Sequence, residues 1–190
     1  MTDSGLICDL FDAGLLQFGR FAVPGEVRPF QHHLAMLASY PALLGRVAQS
    51  LAGSLGGVDR LLCNRDCTPL GVAIALETRL PMVIGQGDGA DGARDFVGAY
   101  DIGHPAALIT YQTGEVSAAM IHHAGRFGLD VRQIASVLNG GDAALSIPAF
   151  SLLNLTDVVN VLLNEGRIPG PLAVTALQWL EERTSPRRPD

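Results

Sequence analysis

The chain contains no lysine. All 13 of its basic residues are arginine, in a sequence of 190 residues. Reactions that proceed through a lysine Schiff base, and phosphate sites that need a P-loop ammonium, are therefore excluded. The 19 acidic residues give a formal net charge of -6. This charge argues against nucleic-acid binding, which depends on neutralising phosphates.

Cysteine and long apolar runs are also scarce. There are three cysteines, Cys8, Cys63 and Cys67, and the latter two lack the C-x-x-C spacing of redox and zinc motifs. We expect ordinary thiols in a reducing compartment. No apolar run reaches the roughly 18 residues that span a bilayer, and residues 1–4 lack the basic start of a signal peptide. We therefore expect a soluble cytoplasmic protein with no membrane partner.

The middle of the chain alternates short apolar runs with helical patterns. The runs that read as buried strands are 60–63, 81–84, 106–111, 131–138 and 148–153. Helices are predicted between them at 69–78 and 114–127, and after them at 155–165 and 171–183. This alternation predicts a doubly wound α/β fold with a mainly parallel sheet, whose ligands bind at the carboxyl ends of the strands.

The N-terminal region differs in pattern. A helix is predicted over 4–15, and a segment broken by glycine and proline, 17–34, predicts a hairpin that forms a small hood. A long helix is predicted to begin at Ser39 and to end at 53–57. We expect a single domain over 1–184, with the hood at about 1–38 and the core at about 39–184. The tail, 185–190, is expected to fray.

One segment cannot pack in a core. Residues 85–95 read GQGDGADGARD, with four glycines and one arginine, Arg94. We expect a mobile loop directly after a buried strand. It is either a solvated connection or a lid over the strand ends.

Four segments, in this order, resemble orotate phosphoribosyltransferases. They are DLFDAGLLQFGRF at 9–21, SYPALLGRVAQSLA at 39–52, PLGVAIALETRLPMVI at 69–84 and FSLLNLTDVVNVLLNEGRI at 150–168. The resemblance implies the type I phosphoribosyltransferase fold and a homodimer. It also implies transfer of ribose phosphate from phosphoribosyl pyrophosphate to a base, with Mg²⁺ assisting the departure of pyrophosphate.

The ribose-phosphate motif of that family is only half present. The family has two acidic residues at the end of a strand, then small residues and Thr-Gly at the start of a helix. Here the stretch is LITYQTG, 108–114, in which Thr113 and Gly114 match the motif. Leu108 and Ile109 stand at the acidic positions. Either half of a phosphate cradle survives here or the segment is an ordinary helix start.

The other ligand-contacting positions also differ. The pyrophosphate loop reads CNRDCT at 63–68, where Arg65 either pairs with an anion or faces solvent. The catalytic loop has Arg94 as its single cation and is net acidic, so it would repel pyrophosphate. For orotate recognition, VPGE at 23–26 has no lysine and LNGGD at 138–142 has no arginine. The family's aromatic pair is replaced by Gln31-His32-His33.

The sequence leaves three hypotheses of function open. The first is a catalytically silent homologue that binds a nucleotide, a base or a protein partner. The second is an active orotate phosphoribosyltransferase that uses Arg65 and Arg94 as cations and Asp66 or Asp88 on Mg²⁺. The third is an unrelated reaction through Cys63, Cys67 or His32. No catalytic residue is assigned, and the ligand-binding candidates are Asn64, Arg65, Asp66, Arg94, Gln112, Thr113 and Gly114.

Metal binding has little support in the sequence. The histidine pairs at 32–33 and 122–123 each point their side chains apart, so neither pair forms a site alone. Asp88, Asp91 and Asp95 lack the spacing of an EF-hand loop. We expect no metal site and no bound cofactor unless the protein is an active transferase, and we expect one of His122 and His123 to face the core.

Overall fold

The computed structural model describes residues 3–86, 95–113, 115–139 and 147–184. Within these ranges the helices are α1 Ser4–Asp12, α2 Pro41–Ala52, α3 Thr68–Thr78, α4 Glu115–Arg126, α5 Leu155–Asn164 and α6 Gly170–Thr184. The strands are β1 Leu16–Val23, β2 Glu26–His32, β3 Arg60–Asn64, β4 Met82–Gln86, β5 Asp95–Val97, β6 Pro105–Gln112, β7 Asp130–Asn139 and β8 Ala149–Asn154. Short 3-10 helices cover Leu34–Ser39 and Arg65–Cys67.

The predicted doubly wound sheet is confirmed. Six strands pair in the order β5-β4-β3-β6-β7-β8, and all pairings except β4 with β5 are parallel. Because the parallel strands run in one direction, their carboxyl ends lie along one edge. The turns after β3 and β6 meet there, since these two strands are direct neighbours.

The middle of the sheet is apolar on both faces. Leu61, Cys63 and Ile109 belong to a larger core cluster that includes residues of α1, α2, α3 and α5. Leu62 and Leu108 belong to a second cluster with Met120 and Ala124 of α4. Helices on both faces explain why these strands read as continuous apolar runs rather than alternating ones.

The hood is an antiparallel hairpin of β1 and β2. Its turn contains Gly25 at φ 87°, a left-handed conformation that glycine adopts without strain. Phe18 and Phe30 pack across the two strands with ring centroids 5.1 Å apart. Arg183 of α6 forms an ion pair with Glu26 at 3.4 Å, so the last helix also supports the hood.

The structure corrects several predicted boundaries. Helix α1 ends at Asp12 rather than residue 15, and α2 begins at Pro41, after a 3-10 turn that the sequence did not predict. Strand β5 was also missed: Asp95, assigned to the loop, begins a short antiparallel edge strand, and β4 extends through Gln86. The rest of the predicted loop and the tail at 185–190 lie outside the described residues. None of the described helices is long and apolar enough to cross a membrane.

Candidate functional site

Carboxamide side chains end the parallel strands. The last residue of each of these five described strands is an asparagine or a glutamine: Asn64, Gln86, Gln112, Asn139 and Asn154. Only 12 of the 190 residues are of these two types, so composition alone does not explain the pattern. The edge that carries ligands in this class of fold is therefore lined with uncharged hydrogen-bonding groups.

The turn after β3 is closed by its own side chains. The Oδ1 atom of Asn64 accepts a hydrogen bond of 2.9 Å from the backbone N–H of Cys67. The hydroxyl of Thr68 donates to the carbonyl of Arg65 at 2.7 Å. Arg65 and Asp66, both predicted to bind ligand, are exposed on this turn. Asn64 thus holds the turn, and the two charged side chains face solvent.

The turn after β6 is tied to β7. The hydroxyl of Thr113 donates to Oδ1 of Asn139 at 3.3 Å, and its backbone N–H donates to the carbonyl of Leu138 at 3.2 Å. The hydroxyl of Thr110 donates to the carbonyl of Gln112 at 3.0 Å. Thr113 is 6% exposed. Its side chain therefore fixes the turn, while Gly114, the other half of the predicted phosphate motif, lies outside the described residues.

Apolar side chains fill the two positions where the resemblance places acids. Leu108 is 2% exposed and Ile109 is fully buried. Leu108 packs in the cluster below α4, and Ile109 packs in the cluster on the opposite face. An ionised carboxylate at either position would lose its hydration without an evident partner. Ribose hydroxyls cannot be held here in the way that the family motif implies.

A hydrogen bond joins the hood to the strand edge. Nε2 of His32, at the end of β2, lies 2.8 Å from Oε1 of Gln112. Because that amide oxygen can only accept, Nε2 is the donor. Burial lowers the pKa of His32, so its imidazole is neutral at pH 7, and Nδ1 is a buried atom without a partner in the described part of the chain. His32 therefore positions the hood rather than acting as a cation.

The remaining hood side chains form a second polar contact. Nε2 of Gln31 donates to Oε1 of Gln17 at 2.8 Å and lies 3.2 Å from Nε2 of His33. His122 is exposed, whereas the ring of His123 packs at a tilt against Phe96 with ring centroids 5.5 Å apart, as predicted for a helix with one inward histidine. The two histidine pairs thus lie in different parts of the fold, one at the end of β2 and the other in α4.

The thiols are poor nucleophiles. Cys63 and Cys67 are buried, and burial raises the pKa of each thiol to about 12. Burial also raises the pKa of the neighbouring Tyr111 phenol. Since the thiolate is the reactive form, these environments disfavour nucleophilic chemistry near pH 7.

The described residues do not fit the Mg²⁺ ion that the fold implies. Across 3–86, 95–113, 115–139 and 147–184, no three His, Cys, Asp or Glu side chains converge on a common point. The amide oxygens of Asn64, Gln112, Asn139 and Asn154 each already accept a hydrogen bond from the protein. Mg²⁺ binds through oxygen ligands, so this edge offers few of them. Asp88, Asp91 and Arg94 lie outside the described residues.

Comparison with known proteins identifies the fold. No protein-family model matches the chain. The structure of Leishmania donovani UMP synthase matches 94% of the chain with a TM-score of 0.85 and 21% sequence identity. The orotate phosphoribosyltransferase of Francisella tularensis matches 94% of the chain and 98% of its own length, with a TM-score of 0.71 and 17% identity. The chain has the type I fold of the orotate phosphoribosyltransferases.

The UMP synthase is much longer than the chain. The chain spans 42% of the UMP synthase. A third similar structure is the Mycobacterium tuberculosis orotate phosphoribosyltransferase in complex with phosphoribosyl pyrophosphate, which matches 82% of the chain and 97% of its own length, with a TM-score of 0.61 and 16% identity.

The fold brings together five of the predicted ligand-binding residues. They lie at the ends of the neighbouring strands β3 and β6: Asn64, Arg65, Asp66, Gln112 and Thr113.

Sequence reasoning missed part of this edge. Asn139, Asn154 and the contact of His32 with Gln112 were not among the predicted ligand-binding features. A signal was present, because an Asn or Gln follows each of the apolar runs that became parallel strands. These residues could be recognised as one edge of the sheet only once the exact end of each strand was known.

Proposed function

We propose that the protein is a catalytically silent homologue of orotate phosphoribosyltransferase. It acts in the cytoplasm by binding a nucleotide, a base or a protein partner. The observation that carries the proposal is the burial of Leu108 and Ile109 at the positions of the ribose-binding acids. The three free cysteines support a reducing compartment.

Electrostatics supports the same proposal. Transfer of a ribose phosphate needs groups that stabilise the charge of the departing pyrophosphate. The absence of lysine leaves arginine as the only permanent cation, and the protein carries a net charge of -6. The uncharged strand ends Asn64, Gln112, Asn139 and Asn154 supply dipoles in place of ions. These features favour binding over turnover.

An active transferase of pyrimidine nucleotide metabolism is the second candidate. The observation in its favour is Arg65, an exposed cation on the turn directly after β3. In that case Arg65 and Arg94 would neutralise pyrophosphate, and Asp66 or Asp88 would hold Mg²⁺. This candidate requires binding of phosphoribosyl pyrophosphate that depends on Mg²⁺.

The proposal includes a homodimer. On α3, Val72 is 43% exposed and Leu76 is 64% exposed, one turn apart on the same face. Met36, from the 3-10 segment that contacts α3, is 53% exposed. An apolar face of this kind on a monomer is typical of a surface that is covered by a partner. A second copy of the chain is the partner that we propose.

Thermal unfolding with ligands separates the two candidates. The protein is melted with phosphoribosyl pyrophosphate with and without Mg²⁺, with orotate and with orotidine monophosphate. A ligand present at about 100 times its Kd stabilises a protein by roughly 2.7 kcal/mol, which raises Tm by several degrees in a domain of this size. We expect no Mg²⁺-dependent shift with phosphoribosyl pyrophosphate. A clear shift that requires Mg²⁺ would overturn the silent assignment.

A further inference from the structure

One buried amide group near the start of β7 has no partner. Nε2 of Gln133 is a buried atom that makes no hydrogen bond in the described part of the chain. Buried donors are almost always paired in folded proteins, because an unpaired donor lowers stability. The NH₂ group of Gln133 is therefore a candidate contact for a ligand.

A β-bulge turns this side chain inward. Arg132 is an extra residue in β7, because the register between β6 and β7 shifts there. Gln133 pairs with Ala107, which belongs to the larger core cluster. A shift of one residue exchanges the two faces of a strand. The bulge therefore directs Gln133 toward the core face and leaves Arg132 exposed, in an ion pair with Asp130 at 2.7 Å.

A cavity of about 130 Å³ lies beside Gln133. It is bounded by the turn that follows α2, by β7 and by the start of β8. Phe150 lines it and is 44% exposed, so the cavity opens to solvent. The apolar part of its lining comes from Leu55, Ile134, Ala135, Pro148 and Phe150.

The polar lining offers one side-chain donor that lacks an acceptor, the NH₂ group of Gln133. Ser54 is the other polar residue among the described residues around the cavity, and its hydroxyl already donates to the carbonyl of Leu51 at 2.7 Å. None of these lining residues is charged. A ligand that fits is therefore uncharged, carries one acceptor and is otherwise apolar.

The volume limits the ligand to about one ring. An engineered apolar cavity of about 150 Å³ binds benzene, and the cavity beside Gln133 measures about 130 Å³. A six-membered ring with one carbonyl group is close to this size. Nucleobases are disfavoured, because they carry several donors and acceptors that these walls would leave unpaired.

The cavity is separate from the carboxyl edge of the sheet. Gln133 lies six residues before Asn139, the last residue of β7, which is roughly 20 Å along a strand at about 3.3 Å per residue. A ligand here would not occupy the strand ends. The inference is therefore independent of the proposed function.

We propose that this cavity binds a small uncharged cyclic ketone, whose oxygen accepts a hydrogen bond from Nε2 of Gln133 and whose ring packs against Leu55 and Ile134. Cyclohexanone is the simplest probe of this class. Toluene is its control, because it has the same number of non-hydrogen atoms and no carbonyl acceptor.

The variant Gln133→Met separates binding from folding. Methionine has a similar length and fills irregular gaps, so the substitution removes the unpaired donor and keeps the packing. We expect its urea midpoint to equal or exceed that of the wild type. Cyclohexanone should bind the variant at least 10-fold more weakly, whereas toluene should bind it at least as well as the wild type. Gln178→Met, at an exposed position of α6, should change neither.

Nuclear magnetic resonance reports the contact directly. Each compound is titrated to about 5 mM into ¹⁵N-labelled full-length protein, and the side-chain NH₂ signals are followed. The signal that is missing from the Gln133→Met spectrum belongs to Gln133. We expect cyclohexanone to shift this signal in a saturable way and to leave the NH₂ signal of Asn139, at the carboxyl edge, unchanged.

Four results would overturn the inference. Three concern the ligand: no saturable shift at Gln133, a shift at Asn139 in its place, or equal binding of cyclohexanone by the wild type and Gln133→Met. The fourth is a lower urea midpoint of Gln133→Met, which would show that the NH₂ group serves folding. None of these results bears on the proposed function, because turnover of phosphoribosyl pyrophosphate is measured separately.

Discussion

The middle of the central sheet and its carboxyl edge differ in the polarity and burial of their side chains. In the middle, side chains such as Leu61, Leu62 and Ile109 are fully buried and apolar on both faces. At the edge, the parallel strands end in amides. Two turns there are held by hydrogen bonds, one that Asn64 accepts from the N–H of Cys67 and one that Thr113 donates to Asn139. The middle builds the phosphoribosyltransferase fold and carries apolar side chains, Leu108 and Ile109, where the resemblance implies acids. The edge carries uncharged amides.

This difference shows that fold and chemistry depend on separate residues. Burial of apolar surface stabilises the sheet whatever the edge carries. The edge can then exchange ions for amides at little cost to stability, because Asn and Asp cap helices almost equally well. A phosphoribosyltransferase fold is therefore weak evidence for phosphoribosyl transfer.

The largest effect on stability is expected from an acidic residue in the middle of the central sheet. Ile109→Asp restores a carboxylate at one position of the family motif. Because Ile109 is fully buried in the core, we expect the free energy of unfolding to fall by roughly 4 kcal/mol or more, from lost packing and a desolvated polar group. Urea denaturation followed by circular dichroism measures this loss.

The matched control is Ile109→Val. It removes one methyl group and is expected to cost about 1 kcal/mol. If Ile109→Asp were as stable as the control and gained Mg²⁺-dependent binding of phosphoribosyl pyrophosphate, the position would be part of a working site, and the distinction between middle and edge would fail.

A moderate effect is expected at the edge itself. Asn154→Ala removes the oxygen that accepts from the N–H of Thr156, and loss of such an N-cap costs about 1 kcal/mol. Asn154→Asp keeps the acceptor and should unfold at nearly the wild-type urea midpoint. Equal losses in both variants would show that the NH₂ group, rather than the cap, stabilises this turn.

The contact between hood and edge predicts a pH dependence. Burial lowers the pKa of His32 below the 6.5 of an unperturbed imidazole. Between the two pKa values the unfolded chain binds more protons than the folded one, so stability falls as pH drops below about 6.5. This contribution is fully present above that pH. Gln112 faces His32 from β6, and His33 is the neighbouring titratable group that also lowers its pKa.

Comparison with a His32→Phe variant isolates this contribution. Urea midpoints are measured from pH 7.5 to pH 5 for both proteins. The variant is expected to lose less stability than the wild type over this range, with His33 present in both as an internal control. Parallel curves for the two proteins would show that His32 does not supply the pH dependence.

The smallest effect on stability is expected on the surface of α3. Leu76 is 64% exposed, and exposed substitutions usually change stability by about 0.5 kcal/mol or less in a monomer. Leu76→Glu is nevertheless expected to convert a dimer into a monomer in sedimentation velocity runs. Glu77→Gln, at the next exposed position, serves as the control. A mutant that sediments as the wild type would remove α3 from the proposed interface.

The sequence predicted the fold well because its signals are local. Continuous apolar runs separated by helical patterns identify a parallel sheet covered on both sides. Asn154 before a helix and Gly25 in a turn marked boundaries by their own chemistry. Short elements were missed for the opposite reason. Strand β5 has three residues, and the 3-10 turn at 34–39 has no period of its own.

The candidate site was predicted less completely. The turn residues Asn64 and Thr113 were found, but their hydrogen-bond partners, Cys67 and Asn139, depend on how strands and turns align in space. The contact between His32 and Gln112 joins residues 80 positions apart. No pattern within one segment specifies such a contact, which depends on the docking of the hood onto the sheet.

The most direct test of the silent assignment is a turnover assay. The protein is incubated at about 10 μM with orotate, phosphoribosyl pyrophosphate and Mg²⁺, and pyrophosphate release is measured, with an active orotate phosphoribosyltransferase as the positive control. We expect no release above the rate without protein, consistent with buried Leu108 and Ile109. Orotate-dependent release that is lost in Arg65→Ala would contradict this and establish an enzyme with an unusual site.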